Sequence, residues 1–422
     1  MNKIVVIPFV SEVHERSYYE NILGVFRRYF EKHGIMFYDD IVSSDDKADI
    51  AAQKFRDYIV IGLILTGGTS SLVHKFMSKA SLNKIILLAH SEHNSLASAV
   101  SARSKIRGEG SSALLYWCID PRSLECEMIS DYTIRIAKAL DYISSLKIVF
   151  IVDRDDKNVV ERNFEKRFGL SIDLYSINDF INYINQISDE KIRETSKLIE
   201  ERYDFRVSKD HIGRIARIYV GMKDLVNKYG YNVISIDCFP FIMRYKASPC
   251  IPLSMLNNEG VTAVCEADPV AMLGMILAKA LSSSSGWIGN IVWTRSREIM
   301  FAHCTAALDI LDEKPIATTH FETSLPYGVS GSLRKNVVTI ISTDREFSKI
   351  YLARGRVIRS GLLTETSCRT QTIIELDVST DKFVEYTPSN HHVIIFGDHL
   401  KEISDIASIY NVSTISYEDL MR

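Results

Sequence analysis

The chain has 422 residues, 46% of them hydrophobic and 24% charged, the balance of a globular protein rather than a disordered or fibrous one. Its 50 Lys and Arg side chains against 53 Asp and Glu leave a net charge of -3, which argues against a nucleic-acid partner or an anionic membrane surface. Seven cysteines (118, 126, 238, 250, 265, 304 and 368) include no CxxC pair, so most read as small buried hydrophobes rather than a zinc knuckle or redox motif.

The opening MNKIVVIPFV runs straight into a strand pattern, with no apolar stretch long enough for a signal peptide or a membrane span, so a cytoplasmic protein is expected. From residue 3 to about 145, KIVVIPF, YYENILGVFRRYFEKHG, YIVIGLILTGG and KIILLAH alternate in the rhythm of βαβ units around a mainly parallel sheet. In the first helical stretch Tyr19, Ile22, Phe26 and Phe30 recur every three to four residues, and Gly34 supplies a stop. A second αβ series starts at KIVFIVDRDD and contains a helix from about Ser208, with Ile212, Ile215, Tyr219, Met222 and Val226 inward and Gly230 at its end, before the strand NVISIDCF.

After about residue 290 the character changes to β-branched runs separated by polar turns: NIVWT, EIMFAHCTA, NVVTIIS, KIYLARGRVI, TQTIIELDV and HHVIIFGD. These predict an antiparallel sheet or barrel closed by a short helix with Leu400, Ile403 and Ile406 inward. The expected fold is therefore α/β: two Rossmann-like αβα domains, residues 1–145 and 146–289, followed by a C-terminal antiparallel β-barrel-like domain, 290–422. No tandem repeat, low-complexity tract or Pro/Gly-rich linker interrupts it.

Ligands of open αβ sheets bind at the carboxyl ends of strands, where loops converge and helix N-termini offer free N–H groups. LTGGTS at 65–70 is a strand end with no GxxxxGK(S/T) phosphate loop, and an ordinary tight turn explains it as well. GEGSSA at 108–113 lacks the last glycine and the preceding strand of a dinucleotide loop, so no nicotinamide cofactor is expected. LLAHSEHNSLASA sets His90, His93, Asn94 and Ser95 before a helix; these groups could bind sugar hydroxyls, although capping alone would account for Asn94 and Ser95.

In GVTAVCEADPVAMLGMILAKAL, residues 260–281, an apolar strand ends at Cys265 and Asp268-Pro269 reads as N-cap and first-turn proline of a helix. Asp268 is thus structural by this reading. Glu266 has no capping role and stands at a strand tip, where ligands bind. His303 sits in the apolar strand FAHCTAAL, where a lone histidine is more often a hydrogen-bonded core residue than a ligand. His320 and Glu322 in THFET would share one side of a strand as a paired acid–base element, with exposed polar alternation as the equal alternative. Asn390-His391-His392 precedes the strand VIIFGD, and adjacent histidines on a strand face opposite ways, so at most one enters a given site. A glutamate with histidines and open positions suits Mn²⁺, Co²⁺ or Mg²⁺, with Zn²⁺ still open.

Several of these segments carry a family resemblance. VCEADPVAMLGMIL resembles the ATEND-type segment of L-fucose isomerases, whose glutamate binds the metal and acts as an acid–base group; the match is Glu266. Counting along the helix to IGNIV, the family's second metal-binding carboxylate falls at Asn290. EIMFAHCT resembles the GAH segment of L-arabinose isomerases, whose histidine is a metal ligand, which implies His303. SNHHVIIFGDHLKEISDIAS resembles the fucose isomerase terminus, where an Asn-His pair supplies the last ligand, which implies Asn390 and His391 with His392 as a neighbour. LTGGTSS through HNSLASA, and DCFPFI, also look like small, divergent members of this family.

The resemblance implies an aldose–ketose isomerase acting on an open-chain sugar with a divalent metal, Mn²⁺ first among candidates, in a trimer or hexamer. Glu266 and Asn290 take the catalytic positions, Glu266, Asn290, His303 and His391 the metal positions, and Asn390, Asn94, His320 and Glu322 are assigned to sugar contact. Asn290 departs from the family, because an amide has no useful basicity and no charge; either metal affinity falls, another residue such as Glu322, Asp237 or Asp268 substitutes, or the chemistry has changed. The rival reading is a non-isomerising relative that binds a sugar or related metabolite. A periplasmic-type sugar-binding module shares the two αβ domains but not the β-rich final third.

Overall fold

The computed structural model describes residues 3–282 and 284–421. The chain divides into two compact units: one comprises the residues up to Ser145 with Asp405–Asn411, the other Leu146–Ser404 with the residues from Val412 onward.

In the first unit, β1 (Ile4–Phe9), β2 (Met36–Phe37), β3 (Ile59–Ile64), β4 (Lys84–His90) and β5 (Ser112–Cys118) form a parallel sheet in the order β2-β1-β3-β4-β5. Every residue of β1 and β3 is buried. A parallel sheet is covered on both faces, which is why these strands read as unbroken apolar runs. The helix Arg16–Lys32 buries Tyr19, Ile22, Phe26 and Phe30, the stripe that their spacing predicts. Gly34 follows at φ 70°, a left-handed conformation that glycine adopts without a Cβ clash. Cys118, at the end of β5, forms a disulfide with Cys126, a pairing that spacing alone does not announce. The other five cysteines are free, and four of them are buried. Among the described residues no helix is long and apolar enough to cross a membrane.

The second unit begins with β6 (Ile148–Val152), β7 (Ile172–Ser176), β8 (Asp204–Phe205), β9 (Val233–Ile236) and β10 (Thr262–Cys265), of which β10-β9-β6-β7 form a parallel sheet. The helix Ile212–Tyr229 packs Ile212, Ile215, Tyr219, Met222 and Val226 inward and ends at Gly230, φ 71°. There follow β11 (Trp287–Arg295), β12 (Glu298–His303), β13 (Ile316–Thr319), β14 (Pro326–Ser330), β15 (Val337–Thr343), β16 (Lys349–Gly361), β17 (Thr370–Leu376), β18 (His391–Phe396) and β19 (Ser413–Ser416).

The strands β15-β18-β11-β12-β17-β16 are antiparallel neighbours, and β16 pairs again with β15, closing a six-stranded barrel. Closure depends on the length of β16: Ile350–Arg356 pair with β15 while Gly355–Gly361 pair with β17. At Gly355 a Cβ would lie 2.6 Å from the carbonyl oxygen of Glu375, so the backbones approach there only because no side chain intervenes. The fold is thus α/β with parallel sheets and a C-terminal antiparallel barrel, as the alternation of patterns predicts. Two features lie outside that prediction. β19 adds in parallel beside β16, and β14-β13-β8 make a small separate sheet. The latter joins Ile316 to Asp204, a contact remote in sequence that local pattern does not carry.

Within this unit the helix Pro269–Leu281 lies against β18. At Gly274 a Cβ would sit 2.6 Å from Cβ of Val393, so helix and strand pack closely; Glu266 precedes the one and His391 opens the other.

Candidate functional site

Glu266 follows the last residue of β10 in the left-handed region, φ 63°, and Ala267 does the same at φ 47°. Two consecutive non-glycine residues there cost on the order of 1 kcal/mol or more each, a strain that surrounding structure must hold in place. Asp268 then caps the helix Pro269–Leu281, its Oδ1 accepting from the Val270 N–H at 2.8 Å, with Pro269 in the first turn. The capping role read from sequence is therefore present, but it uses only one carboxylate oxygen. The other, Oδ2, accepts from His391 Nδ1 at 2.6 Å.

That bond aims the opposite ring nitrogen of His391, Nε2, toward Glu266, 3.5 Å from Oε2. His391 is 5% exposed, and its Nε2 has no hydrogen-bond partner. The Ser342 hydroxyl donates to the His391 carbonyl at 3.0 Å and steadies the strand at this point. His303, the last residue of β12, places Nε2 3.9 Å from Glu266 Oε1, and its buried Nδ1 is likewise without a partner. Ligand atoms of Glu266, His303 and His391 all lie within 4.8 Å of one another, the one such group of His, Cys, Asp and Glu found among the described residues.

Electrostatics separate the two histidines. Burial pulls His303 down to about 4, leaving a neutral ring with a free lone pair. Burial also opposes a charge on His391, but the Asp268 and Glu266 carboxylates outweigh it and raise its pKa to about 10. Glu266 itself is disfavoured as an anion by burial, yet His391, then His303 and His320, hold it below the usual carboxylate range. An unpaired buried nitrogen facing a carboxylate, as Nε2 of His391 does, is what a cation-binding site leaves behind, since an orphaned polar atom is otherwise costly. One carboxylate and two imidazoles fit a divalent ion and would leave coordination positions open to a ligand.

The remaining predicted residues fall in different places. Asn290 is paired with His391 across β11 and β18, and its Oδ1 accepts from the Asn390 amide at 3.2 Å, so the two asparagines meet each other beside the cluster. Asn390 and His391 line a cleft of about 290 Å³ with Glu266 and Asp268. His392 points the other way, packed at 5.2 Å against the Phe383 ring and bonded to the Thr387 hydroxyl at 2.7 Å, as strand alternation requires.

His320 and Glu322 do not share a strand face. β13 ends at Thr319, and residues 321–323 form a turn in which the Ser324 N–H donates to the His320 carbonyl at 2.9 Å. His320 is buried with Nδ1 against the Thr323 hydroxyl at 3.1 Å, whereas Glu322 is exposed. The turn overrides the alternation because Thr323 and Ser324 satisfy the backbone and ring groups that a ladder would otherwise use. Both residues still feel Glu266: burial lowers His320 and Glu266 partly restores it, while burial and then Glu266 raise Glu322. Asp237, following β9, is raised by burial and then by Glu266.

Asn94 lies in the first unit at φ 58°, at the cap position of the helix Ser95–Gly108 but with no side-chain capping bond. Ser95 instead ties strand ends together, accepting from the His90 N–H at 3.1 Å and donating to the Ile64 carbonyl at 2.5 Å. Sequence reasoning missed two cleft-lining residues, Asn158 and Arg345. Only the capping signature Asn158-x-x-Glu161 hinted at the first, and nothing local marks the second.

A family model described as the L-arabinose isomerase central domain matches residues 152–281, a stretch that contains Asp237, Glu266 and Asp268 but ends before the barrel histidines. Among curated proteins, a sulfoquinovose isomerase of Alkalicoccus urumqiensis is 21% identical over 221 residues, 49% of this chain and 49% of that protein. An L-arabinose isomerase of Clostridium beijerinckii is 23% identical over 173 residues, 39% of this chain and 34% of that protein. The matches thus span half or less of each relative's length.

Proposed function

Given that the chain belongs to an arabinose/fucose isomerase-like family, we propose that it is a metal-dependent aldose–ketose isomerase acting on an open-chain sugar. The observation that carries this reading is the meeting of Glu266, His303 and His391 within 4.8 Å at a cleft large enough for a small polyol. Mn²⁺ is the proposed ion, with Co²⁺ or Mg²⁺ as alternatives, and the resemblance to the family further suggests a cytoplasmic trimer or hexamer.

An aldose–ketose interconversion moves a proton between C1 and C2 through an ene-diolate, on which negative charge develops. A divalent ion, when bound, supplies Lewis-acid stabilisation of that charge. Glu266 takes the proton from one carbon and returns it to the other; its ionised state at neutral pH makes it a base at the start of the cycle. His303 and His391 hold the ion with Glu266. Asp268 fixes the ring of His391 through Nδ1, so that Nε2 is the atom presented. Asn390, which lines the cleft and meets Asn290, offers sugar hydroxyls an amide, and His320 and Glu322 are the further proposed contacts within this unit.

The decisive experiment is Glu266→Gln in metal-loaded protein. Turnover of a responsive aldose, measured at saturating metal because the substitution also removes the one carboxylate ligand, falls by roughly 10²- to 10⁴-fold, the usual worth of a positioned acid–base group, while circular dichroism stays unchanged. Undiminished turnover refutes the assignment. A second reading, a sugar binder without turnover, is favoured by one observation: Asn290 engages Asn390 and brings no carboxylate to the cluster. Binding of a sugar without retained divalent ion or isomerisation would select it.

A further inference from the structure

We infer that the cleft beside Glu266 takes a sugar whose far end carries an oxyanion (phosphate, sulfonate or carboxylate), and that Arg345 is the residue that selects it. This rests on the isomerase reading of the same site and names the substrate class. Arg345 and Asn158 line the cleft together with Glu266, Asp268, Asn390 and His391.

Arg345 stands in the turn between β15 and β16, and its main chain is fixed from three directions. Asp344 accepts from the Ser348 N–H at 2.7 Å and from its hydroxyl at 2.5 Å. The Asn163 amide donates to the Arg345 carbonyl at 3.0 Å. Phe347 is fully buried, its ring 5.4 Å from Phe164 and 5.9 Å from Phe168. The turn is thereby pinned to the helix Val159–Phe168, yet the guanidinium is exposed and makes no ion pair among the described residues. Arg154, Arg244 and Arg354 of the same unit each have a carboxylate partner. A guanidinium on an anchored turn at the lip of a cleft has five N–H donors and nothing of its own to give them to. A planar fork of this kind matches an oxyanion in two-point contact, which a sugar hydroxyl cannot reproduce.

A second feature acts in the same direction. The helix Val159–Phe168 opens into this cleft through Asn158 and Val160. Its capping box occupies the Glu161 N–H with the Asn158 side chain and the Asn158 N–H with Glu161. The N–H groups of Val159 and Val160 keep no intrahelical acceptor, as in every first turn, and the helix dipole favours negative charge there. The same cleft is also lined by the Glu266 and Asp268 carboxylates, which repel an anion. Charge thus orients the ligand: the carbonyl end lies toward Glu266, the anionic end toward Arg345.

The test uses Mn²⁺-loaded full-length protein with a panel of hexitols and their 6-phosphates, 6-sulfonates and corresponding aldonates for binding, and the parent aldoses for turnover. The anionic ligands are expected to bind at least about tenfold tighter than the neutral ones, and Arg345→Ala to lower the anionic-to-neutral ratio of kcat/KM by roughly 10- to 100-fold through KM, with Arg345→Lys between. Equal binding of charged and neutral hexitols, or a ratio that Arg345→Ala does not move, overturns the inference. An anionic preference lost in Arg345→Ala but with no sugar turned over leaves the inference standing and sinks the isomerase reading. Turnover without the preference does the reverse. The rank order within the anionic series tells phosphate, sulfonate and carboxylate apart.

Discussion

At the end of β4 in the first unit, most polar side chains spend their hydrogen-bonding capacity on the fold, although the buried Nε2 of His90 keeps no partner. His90 Nδ1 accepts from the Glu92 N–H at 3.2 Å, Ser95 bridges the His90 N–H and the Ile64 carbonyl, Thr66 accepts from the Ser11 N–H at 2.9 Å, and Thr69 pairs with Ser98 at 2.8 Å. At the end of β10 in the second unit, Asp268 likewise closes its local bonds, but Glu266, His303 and His391 face one another with two ring nitrogens unpaired. Both sites are strand ends of parallel sheets, the place where ligands bind by topology. Topology therefore nominates both, and convergence separates them: among the described residues only Glu266, His303 and His391 bring three ligand atoms together. A strand end whose polar groups mostly serve the fold is architecture; one whose ligand atoms converge is open to a ligand.

The comparison is sharpest for metal binding. Mn²⁺ at about a hundred times its dissociation constant should stabilise the wild type by about 2.7 kcal/mol, and His391→Ala should remove that increment. Differential scanning fluorimetry with and without the ion reads it. An increment that survives in His391→Ala but disappears in His90→Asn would reverse the contrast between the two strand ends.

A somewhat smaller effect follows from His90 and concerns pH. Burial holds its pKa at about 4, below the ordinary 6.5, and the ring is neutral with Nδ1 accepting. As pH falls, the unfolded chain takes up this proton first, so stability is intact above about 6.5 and is lost as pH drops toward 4. His90→Asn should reduce the slope of that decline by an amount that integrates to roughly 2 kcal/mol, discounted from the full shift for partial burial. Urea midpoints measured from pH 7 to pH 4 test this, and parallel slopes in the two proteins would contradict it.

Much of this arrangement is legible in the chain. The parallel sheets announce themselves as unbroken apolar runs, the barrel as β-branched segments, and the division of labour between His391 and His392 follows from strand alternation alone. Glu266 stands out because it follows a strand and caps nothing. What the sequence hides is tertiary. His320 and Glu322 fit a strand period equally well, and only the bonds of Thr323 and Ser324 show that they lie in and beside a turn. Arg345 sits in a turn like any other until Phe347 anchors that turn beside the helix Val159–Phe168. β8 and β19 are too short to carry a pattern and exist because partners more than 50 residues away pair with them.

Asp268 is the instructive intermediate case. Sequence poses capping and site chemistry as alternatives, but a carboxylate has two oxygens, and here Oδ1 serves the helix while Oδ2 serves His391. Asp268→Asn separates the two roles. Asparagine caps a helix about as well as aspartate, so the helix start survives. What is lost is the negative charge and, with it, the strong acceptor that fixes the His391 ring and raises its basicity. Metal affinity should fall by at least about tenfold, or about 1.4 kcal/mol, with little change in the melting temperature of the metal-free protein. Isothermal titration with Mn²⁺ alongside thermal unfolding distinguishes the outcomes. A large drop in metal-free stability with unchanged affinity would return Asp268 to the helix alone and leave the pairing with His391 without consequence for binding.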